Sequence, residues 1–412
     1  MRHFLSLFGR IAALVMLVAI TSTGALAQSS TEETTLVNGN TAFAFDLYRQ
    51  LAGEEGSLFF SPYSISQALA MTYAGARGET ARQMAEALHF DLEAAALHPA
   101  FGGLAQSLTG RPPVAGFEDQ PFRLNVANSL WGDQQTTFLP EFLALLQSDY
   151  GAGLQAVDFR GQPEAARQQI NDWIAQQTED KIRDLVPEGA INPATRLVLA
   201  NAIYFNANWL RPFYEGATAD APFTLLDGTT VMVPMMNQQE SFLYGRGENY
   251  QAITLPYVGQ GMEMVLILPD EGEFEAVEQG LTADWFTGVL AGLRSQEVLL
   301  AMPKFRFEYT LELSEALKAM GMPDAFSDQA DFSGMTVEEA LFISKVLHKA
   351  FIDLDEAGTE AAAATAVIME AMAAQIPQEP IELRLDRPFL FAIRDSVTGS
   401  LLFLGRVLDP SG

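Results

Sequence analysis

The sequence predicts an α+β fold in one large domain, on three observations. Helical periodicity crowds the first part of the chain and strand patterning the second, whereas a parallel βαβ array would alternate them. No internal repeat and no Pro/Gly/Ser-rich linker divides the chain after its N-terminal segment. Two apolar runs close the sequence around a turn signal at Ser396 to Ser400, as an antiparallel hairpin requires.

Taken in order, apolar residues at helical spacing predict helices over residues 38–51, 64–73, 79–88, 139–148 and 163–177. Ser61-Pro62 reads as a helix N-terminus, a hydroxyl cap followed by a residue that needs no N–H there. Runs rich in Val, Ile, Leu, Phe and Tyr predict strands over residues 123–131, 195–205, 229–236, 251–256, 263–268, 297–304, 345–355, 382–385, 389–394 and 401–407.

Residues 1–27 read as a secretory signal. Arg2 and Arg10 precede the apolar run from Ile11 to Ile20, and Ala25-Leu26-Ala27 fits a small-x-small cleavage site. The run is too short to span a bilayer comfortably, and no cysteine follows it to carry a lipid. The expectation is a secreted or periplasmic chain, with residues 28–37 as a disordered tail and 38–412 as the folded domain. Removing Arg2 and Arg10 takes the net charge from −28 to −30.

Composition excludes several classes of function. The 412 residues are 49% hydrophobic, enough for a sizeable core, and carry 52 acidic against 24 basic side chains. That balance disfavours nucleic acid and anionic membrane surfaces, which need basic patches. Without cysteine there is no disulfide, zinc–thiolate or thiol-nucleophile chemistry. Past the signal only His89, His98 and His348 remain, with no GxSxG elbow, HExxH or Walker loop, so the chain is expected not to be an enzyme and to need no cofactor or metal. The acidic run Asp353, Asp355 and Glu356 reads as a solvated strand end.

The most informative stretch is EAGTEAAAATAVIMEAMAA, Glu356 to Ala374. Alanine is the best helix former, so propensity alone favours a surface helix. Its flanks argue otherwise: SKVLHKAFIDLDE (Ser344 to Glu356) lies upstream and DRPFLFAIRD (Asp386 to Asp395) downstream. The three together resemble the reactive-loop region of the serpins, the suicide protease inhibitors. The resemblance runs through nearly the whole folded part in colinear order: NTAFAFDLYRQL at Asn40, GSLFFSPYSISQALAMTYAGARGETARQM at Gly56, INDWIAQQTEDKIRDLVP at Ile170, LANAIYFNANWLRPF at Leu199, then ITLPYVGQGMEMVLILPDE, MPKFRFEYTLELSEALKAMGM and ADFSGMT.

The resemblance implies a serpin fold, a single domain with three β-sheets, eight or nine helices and an exposed reactive-centre loop over about residues 356–380. It implies an exported, prokaryotic-type inhibitor, a monomer, whose partner is a target serine protease held in a covalent complex. The alternative within the family is a non-inhibitory carrier or chaperone. The hinge would comprise Glu356, Gly358, Thr359, Glu360, Ala361, Ala362, Ala363 and Ala364. Small side chains suit a segment that must be solvated first and then slide into a sheet as a strand, with Thr359, Ala361, Ala363 and Thr365 on the core face. A charge on that face would stall the step.

By the family's spacing the scissile bond is Met372-Ala373, with Ala371, Ala373 and Ala374 as further candidates because the segment to Pro388 is longer than usual. Small residues around the bond suit elastase-, chymotrypsin- or subtilisin-like proteases. No Lys or Arg lies between Lys349 and Arg384, which disfavours trypsin-like ones. Ser61, Ser64, Asn201 and His348 match the family's shutter beneath the opening sheet, and Trp209 matches its breach, where the loop first enters. Asn206-Ala207 stands where the family often has Lys-Gly, which leaves a local charge contact there in doubt. The segment from Asp91 to His98 is acidic, so heparin-type activation is not expected.

Overall fold

The structure is a computed structural model that describes residues 31–112, 114, 117, 122–259, 261–359 and 379–411. The signal segment, Glu360, Ala361, Ala362, Ala363, Ala364 and the Met372-Ala373 bond lie outside the described residues.

Nine α-helices occur among the described residues. The first, α1, spans residues 31–51. It starts inside the segment expected to be a disordered tail, because Leu36 and Val37 are buried on the same helical face as Phe43, Leu47 and Tyr48. β1 (Leu58–Phe60) leads into α2 (Pro62–Tyr73). Ser61 caps α2 by accepting from the Ser64 N–H at 3.2 Å, and Pro62 opens it. Every residue of α2 from Pro62 to Thr72 is buried, so this helix is enclosed by the fold rather than half-exposed.

Next come α3 (Gly78–Ala87), α4 (Ala94–Thr109), β2 (Arg123–Asp133), α5 (Pro140–Tyr150), β3 (Leu154–Val157), α6 (Pro163–Gln177) and β4 (Leu197–Asn208). Gly151 ends α5 at φ 61°, the left-handed position glycine takes most readily. The strand-rich part runs β5 (Ala219–Thr224), β6 (Thr230–Arg246), β7 (Tyr250–Pro256), β8 (Met262–Pro269), α7 (Phe274–Gln279), α8 (Ala283–Gly292), β9 (Arg294–Pro303), β10 (Phe305–Glu312), α9 (Ser314–Ala319), β11 (Lys345–Leu354), β12 (Gly358–Thr359), β13 (Ile381–Arg384), β14 (Phe389–Asp395) and β15 (Leu401–Val407).

Hydrogen bonding gathers the strands into a six-stranded sheet, β10-β11-β12-β4-β2-β3, and a nine-stranded one, β1-β15-β14-β8-β7-β6-β9-β13 with β5 on β6. The 17-residue β6 joins what would otherwise be two sheets. Its first third, residues 230–235, pairs β5 and its C-terminal end, residues 243–246, pairs β7, while β9 runs beside residues 235–244 between them.

The six-stranded sheet positions the site. β11 and β4 are parallel neighbours from Lys345↔Val198 to Phe351↔Tyr204. Behind this seam α2 packs on β4 and β2. On the other face Ile170 and Ile174 of α6, with Ile182, Leu185 and Val186 of the linker after it, share an apolar cluster with Trp131, Val198, Tyr204, Leu347 and Phe351. Two cores therefore meet at the β4–β11 seam, and any opening of that seam must be tolerated by both.

Candidate functional site at the seam of the six-stranded sheet

Above Phe351 and Tyr204, β11 and β4 diverge, and the chain turns back between them. Asp355 N–H donates to the Gly358 carbonyl at 2.9 Å, and the Asp355 carboxylate accepts from the N–H groups of Ala357 and Gly358 at 2.9 and 3.2 Å. This four-residue turn delivers β12 into the gap. Thr359 faces Leu354 of β11 on one side and Ala207 of β4 on the other, antiparallel to both. The loop expected to begin exposed thus starts inside the sheet: Gly358 is buried and Thr359 fully so. The backbone at Gly358 (φ 156°) explains the residue type. A Cβ there would sit 2.2 Å from the Ala207 carbonyl oxygen.

The acidic run is likewise not a solvated strand end. Glu356 is 6% exposed and forms an ion pair with Lys304, while the Thr218 hydroxyl donates to its other oxygen at 2.6 Å. Burial alone would raise the Glu356 carboxyl, but Lys304 and Thr218 outweigh it and hold it below the usual range. Burial pushes the Asp355 carboxyl up, against the two N–H groups it accepts. Only Asp353 keeps to the expected character, partly exposed beside Arg306.

Trp209 covers this turn. Its indole N–H donates to the Asp355 carbonyl at 3.0 Å and its backbone N–H to the Ala357 carbonyl at 2.8 Å. Its ring stacks on Tyr257 with centroids 4.3 Å apart, and the Tyr257 hydroxyl meets the Thr359 hydroxyl at 2.8 Å. Burial pushes the Tyr257 phenol well up, so it keeps its proton at any working pH.

Six rungs lower, the seam is crossed by a buried polar cluster. His348 Nε2 accepts the Ser61 N–H at 3.1 Å, which leaves Nδ1 to carry the proton and donate to Asn201 Oδ1. Asn201 Oδ1 also accepts from the Ser64 hydroxyl at 2.9 Å, and its amide donates to Asn128 Oδ1. Asn128 in turn donates to Gln67 Oε1 at 2.8 Å and the Ser64 carbonyl at 3.2 Å. Ser61, Ser64, Asn201 and His348, scattered over nearly 290 positions of sequence, are thereby brought into one network. It ties β11 to β4 and both to the N-terminus of α2.

Asn128, Gln67, Tyr257, Thr218 and Lys304 were not singled out from sequence. Asn128 carried a signal: it sits among apolar residues in RLNVANSLW, where a buried strand needs a partner for every amide.

Burial holds the His348 imidazole down at about 3, against 6.5 for a free histidine. The unfolded chain therefore takes up a proton at this residue near pH 6.5 and the native chain only near 3. The stabilisation is complete above 6.5 and is lost as pH falls through that window, on the order of 5 kcal/mol in all. His348→Gln offers the same donor and acceptor without a titrating proton. Denaturant midpoints from pH 7 to 4 should fall less steeply in the variant than in wild type; equal slopes would remove His348 from the acid response.

Among the described residues no His/Cys/Asp/Glu group is arranged to hold a metal ion. No helix among them is long and apolar enough to cross a membrane.

The sequence model of one family, Serpin (serine protease inhibitor), matches residues 38–410. An uncharacterized serpin-like protein of Thermococcus kodakarensis is 42% identical over 379 residues, 92% of this chain and 87% of the relative. The leukocyte elastase inhibitor of Bos taurus is 43% identical over 384 residues, 90% of this chain and 98% of the relative. Among solved structures, human thyroxine-binding globulin complexed with thyroxine superposes with a TM-score of 0.83 at 31% identity, over 92% of this chain and all of that one. Human kallistatin does so at 0.81 and 34%, over 92% and 99%.

Proposed function

The chain belongs to the serpin family, whose members are generally protease inhibitors rather than enzymes, and we propose that it is an exported suicide inhibitor of elastase-, chymotrypsin- or subtilisin-like serine proteases. The observation that carries this reading is β12. The hinge already stands in register between two strands that are otherwise direct neighbours, so the loop behind it has a defined path into the sheet.

That path can be followed by counting. Thr359 pairs with Ala207 and Leu354, and on insertion each later residue would meet one position lower on both strands. Thr365 then falls opposite Asn201 and His348, which are themselves a paired rung. The two registers agree. Parting the strands by one strand width breaks the His348–Asn201 bond, and Thr365 is the hydroxyl residue among alanines that arrives at that level on the core face. A polar pair losing its partner in the interior needs one.

In this reading a protease attacks Met372-Ala373 and forms an acyl-enzyme. The freed loop zips into the sheet from Thr359. About fourteen residues at roughly 3.3 Å each draw the tethered protease some 45 Å, deforming its active site before the ester hydrolyses. Ala361, Ala362, Ala363 and Ala364 present nothing large to obstruct the strand. The exported chain carries residues 1–27 as a signal and acts as a monomer.

Mixing the mature protein with an elastase-like or subtilisin-like protease should give an SDS-resistant complex. A C-terminal peptide starting near Ala373 should separate from it on the denaturing gel. Complete loop cleavage with no complex would reject inhibition and leave a carrier or chaperone.

A further inference from the structure

The outer edge of the six-stranded sheet is only partly covered. β3 pairs with β2 from Leu130 to Asp133, so on that edge β2 has no described strand beside it over residues 123–129. A cleft of about 440 Å³ opens against this bare edge, walled by α2, α4, α6 and the turn after α5. That volume lies in the range of small-molecule sites. We infer that the cleft binds an uncharged, ring-containing molecule that carries a carbonyl oxygen, such as an aromatic ketone or a quinone.

Three observations fix that chemistry. The first is charge. The chain carries 52 acidic and 24 basic side chains, yet none of the described residues lining the cleft is Asp, Glu, Lys or Arg. An ionic ligand would shed its water there with no counter-charge to replace it. His98, bonded to Tyr150 of the cleft wall, is neutral as well. Its Nδ1 meets the Tyr150 hydroxyl at 2.7 Å, and burial holds its imidazole down at about 4.

The second is a set of donors without partners. Tyr63, Gln67 and Met71 follow one another at four-residue spacing on α2, so they share one stripe along the cleft. Tyr63 is 2% exposed, and its hydroxyl has no hydrogen-bond partner among the described residues. Burial pushes its phenol up, so it keeps its proton and donates. Gln67 is 7% exposed. Its Oε1 already accepts from Asn128, whose own Oδ1 accepts from Asn201, so the direction of that chain leaves the Gln67 Nε2 as its free end. The indole N–H of Trp173, on the α6 side, also lacks a partner among the described residues. Buried polar groups are ordinarily paired. Free donors gathered on one cleft call for an acceptor, and a carbonyl oxygen offers two lone pairs.

The third is the apolar remainder of the wall. Leu124 and Val126 of β2 and the adaptable Met71 line it beside the Trp173 ring, which an edge contact with buried Trp131 holds in place. This surface suits a ring rather than a polar chain.

The test uses the intact, uncut protein and prodan, an uncharged naphthyl ketone whose emission shifts to the blue out of water. Prodan should bind saturably at one site with a blue shift. Anilinonaphthalene sulfonate has the same fused rings with a fixed negative charge and should bind at least tenfold more weakly. Tyr63→Phe removes only the hydroxyl and should weaken prodan about two- to tenfold, the equilibrium value of one hydrogen bond. Ala105→Trp fills the cleft from α4 and should abolish binding, with the unfolding midpoint of each variant as the fold control. Should the bulkier variant fail to fold, Tyr63→Phe still decides. No saturable binding by the wild-type protein, wild-type affinity in Tyr63→Phe or in folded Ala105→Trp, or equal affinity for the sulfonate would each overturn the proposal. No protease is involved, so the outcome is read independently of the inhibitory function.

Discussion

Thr359→Arg is expected to turn the protein from inhibitor to substrate while leaving its fold intact. Thr359 is wholly buried, with Tyr257 as its polar partner and no acidic side chain bonded to it. An arginine there must either bury an unpaired guanidinium, at a cost of about 3 kcal/mol or more, or stay outside. Staying outside costs the resting protein only the Tyr257 hydrogen bond, roughly 1 kcal/mol. After the loop is cut, however, this is the first residue that must pass.

If about 3 kcal/mol reaches the insertion step, at ~1.4 kcal/mol per tenfold, insertion slows by about two orders of magnitude. Hydrolysis of the acyl-enzyme then wins. The check is the ratio of SDS-resistant complex to cleaved free inhibitor on one gel, with the unfolding midpoint of the uncut variant as the fold control. Trapping at the wild-type ratio by a folded Thr359→Arg would mean that the strand does not enter from this residue.

Much of this was legible in the residues, and what was not has physical reasons. Ser61-Pro62 announced α2 because capping is a local property. The C-terminal hairpin was legible for the same reason, and β14 and β15 pair antiparallel across the Ser396–Ser400 turn. The α6 start at Pro163 followed from apolar spacing alone.

Tertiary context decided the rest. Residues 31–37 look like a polar tail until Leu36 and Val37 find the core. Asp355 and Glu356 look solvated until the chain turns and brings them to backbone N–H groups and to Lys304, more than fifty residues away. Thr359 reads as part of the hinge of an exposed loop, and nothing local says that β11 and β4 diverge at its level. The polar network spans Ser61 to His348, so only the closed sheet assembles it. Asn128 was the one missed member whose signal was present, an amide in an apolar strand.

The central claim is that the uncut protein stores free energy which loop insertion releases. Insertion adds a strand bonded on both edges. About ten net hydrogen bonds at ~1 kcal/mol each give on the order of 10 kcal/mol, before counting burial of Val367 and Met369. At roughly 1.3 °C per kcal/mol for a chain of this size, the unfolding midpoint should rise by about 12 °C or more. Thr365→Val should remove about 1 kcal/mol of that gain by leaving His348 or Asn201 short of a partner.

The direct measurement is thermal unfolding before and after limited proteolysis between Met369 and Ala374, with the cut confirmed by mass. A nick ordinarily loosens a chain, so a midpoint raised by about ten degrees or more is expected only if the cut loop has become a strand. A midpoint unchanged or lowered by the cut would contradict the account, whatever the family resemblance.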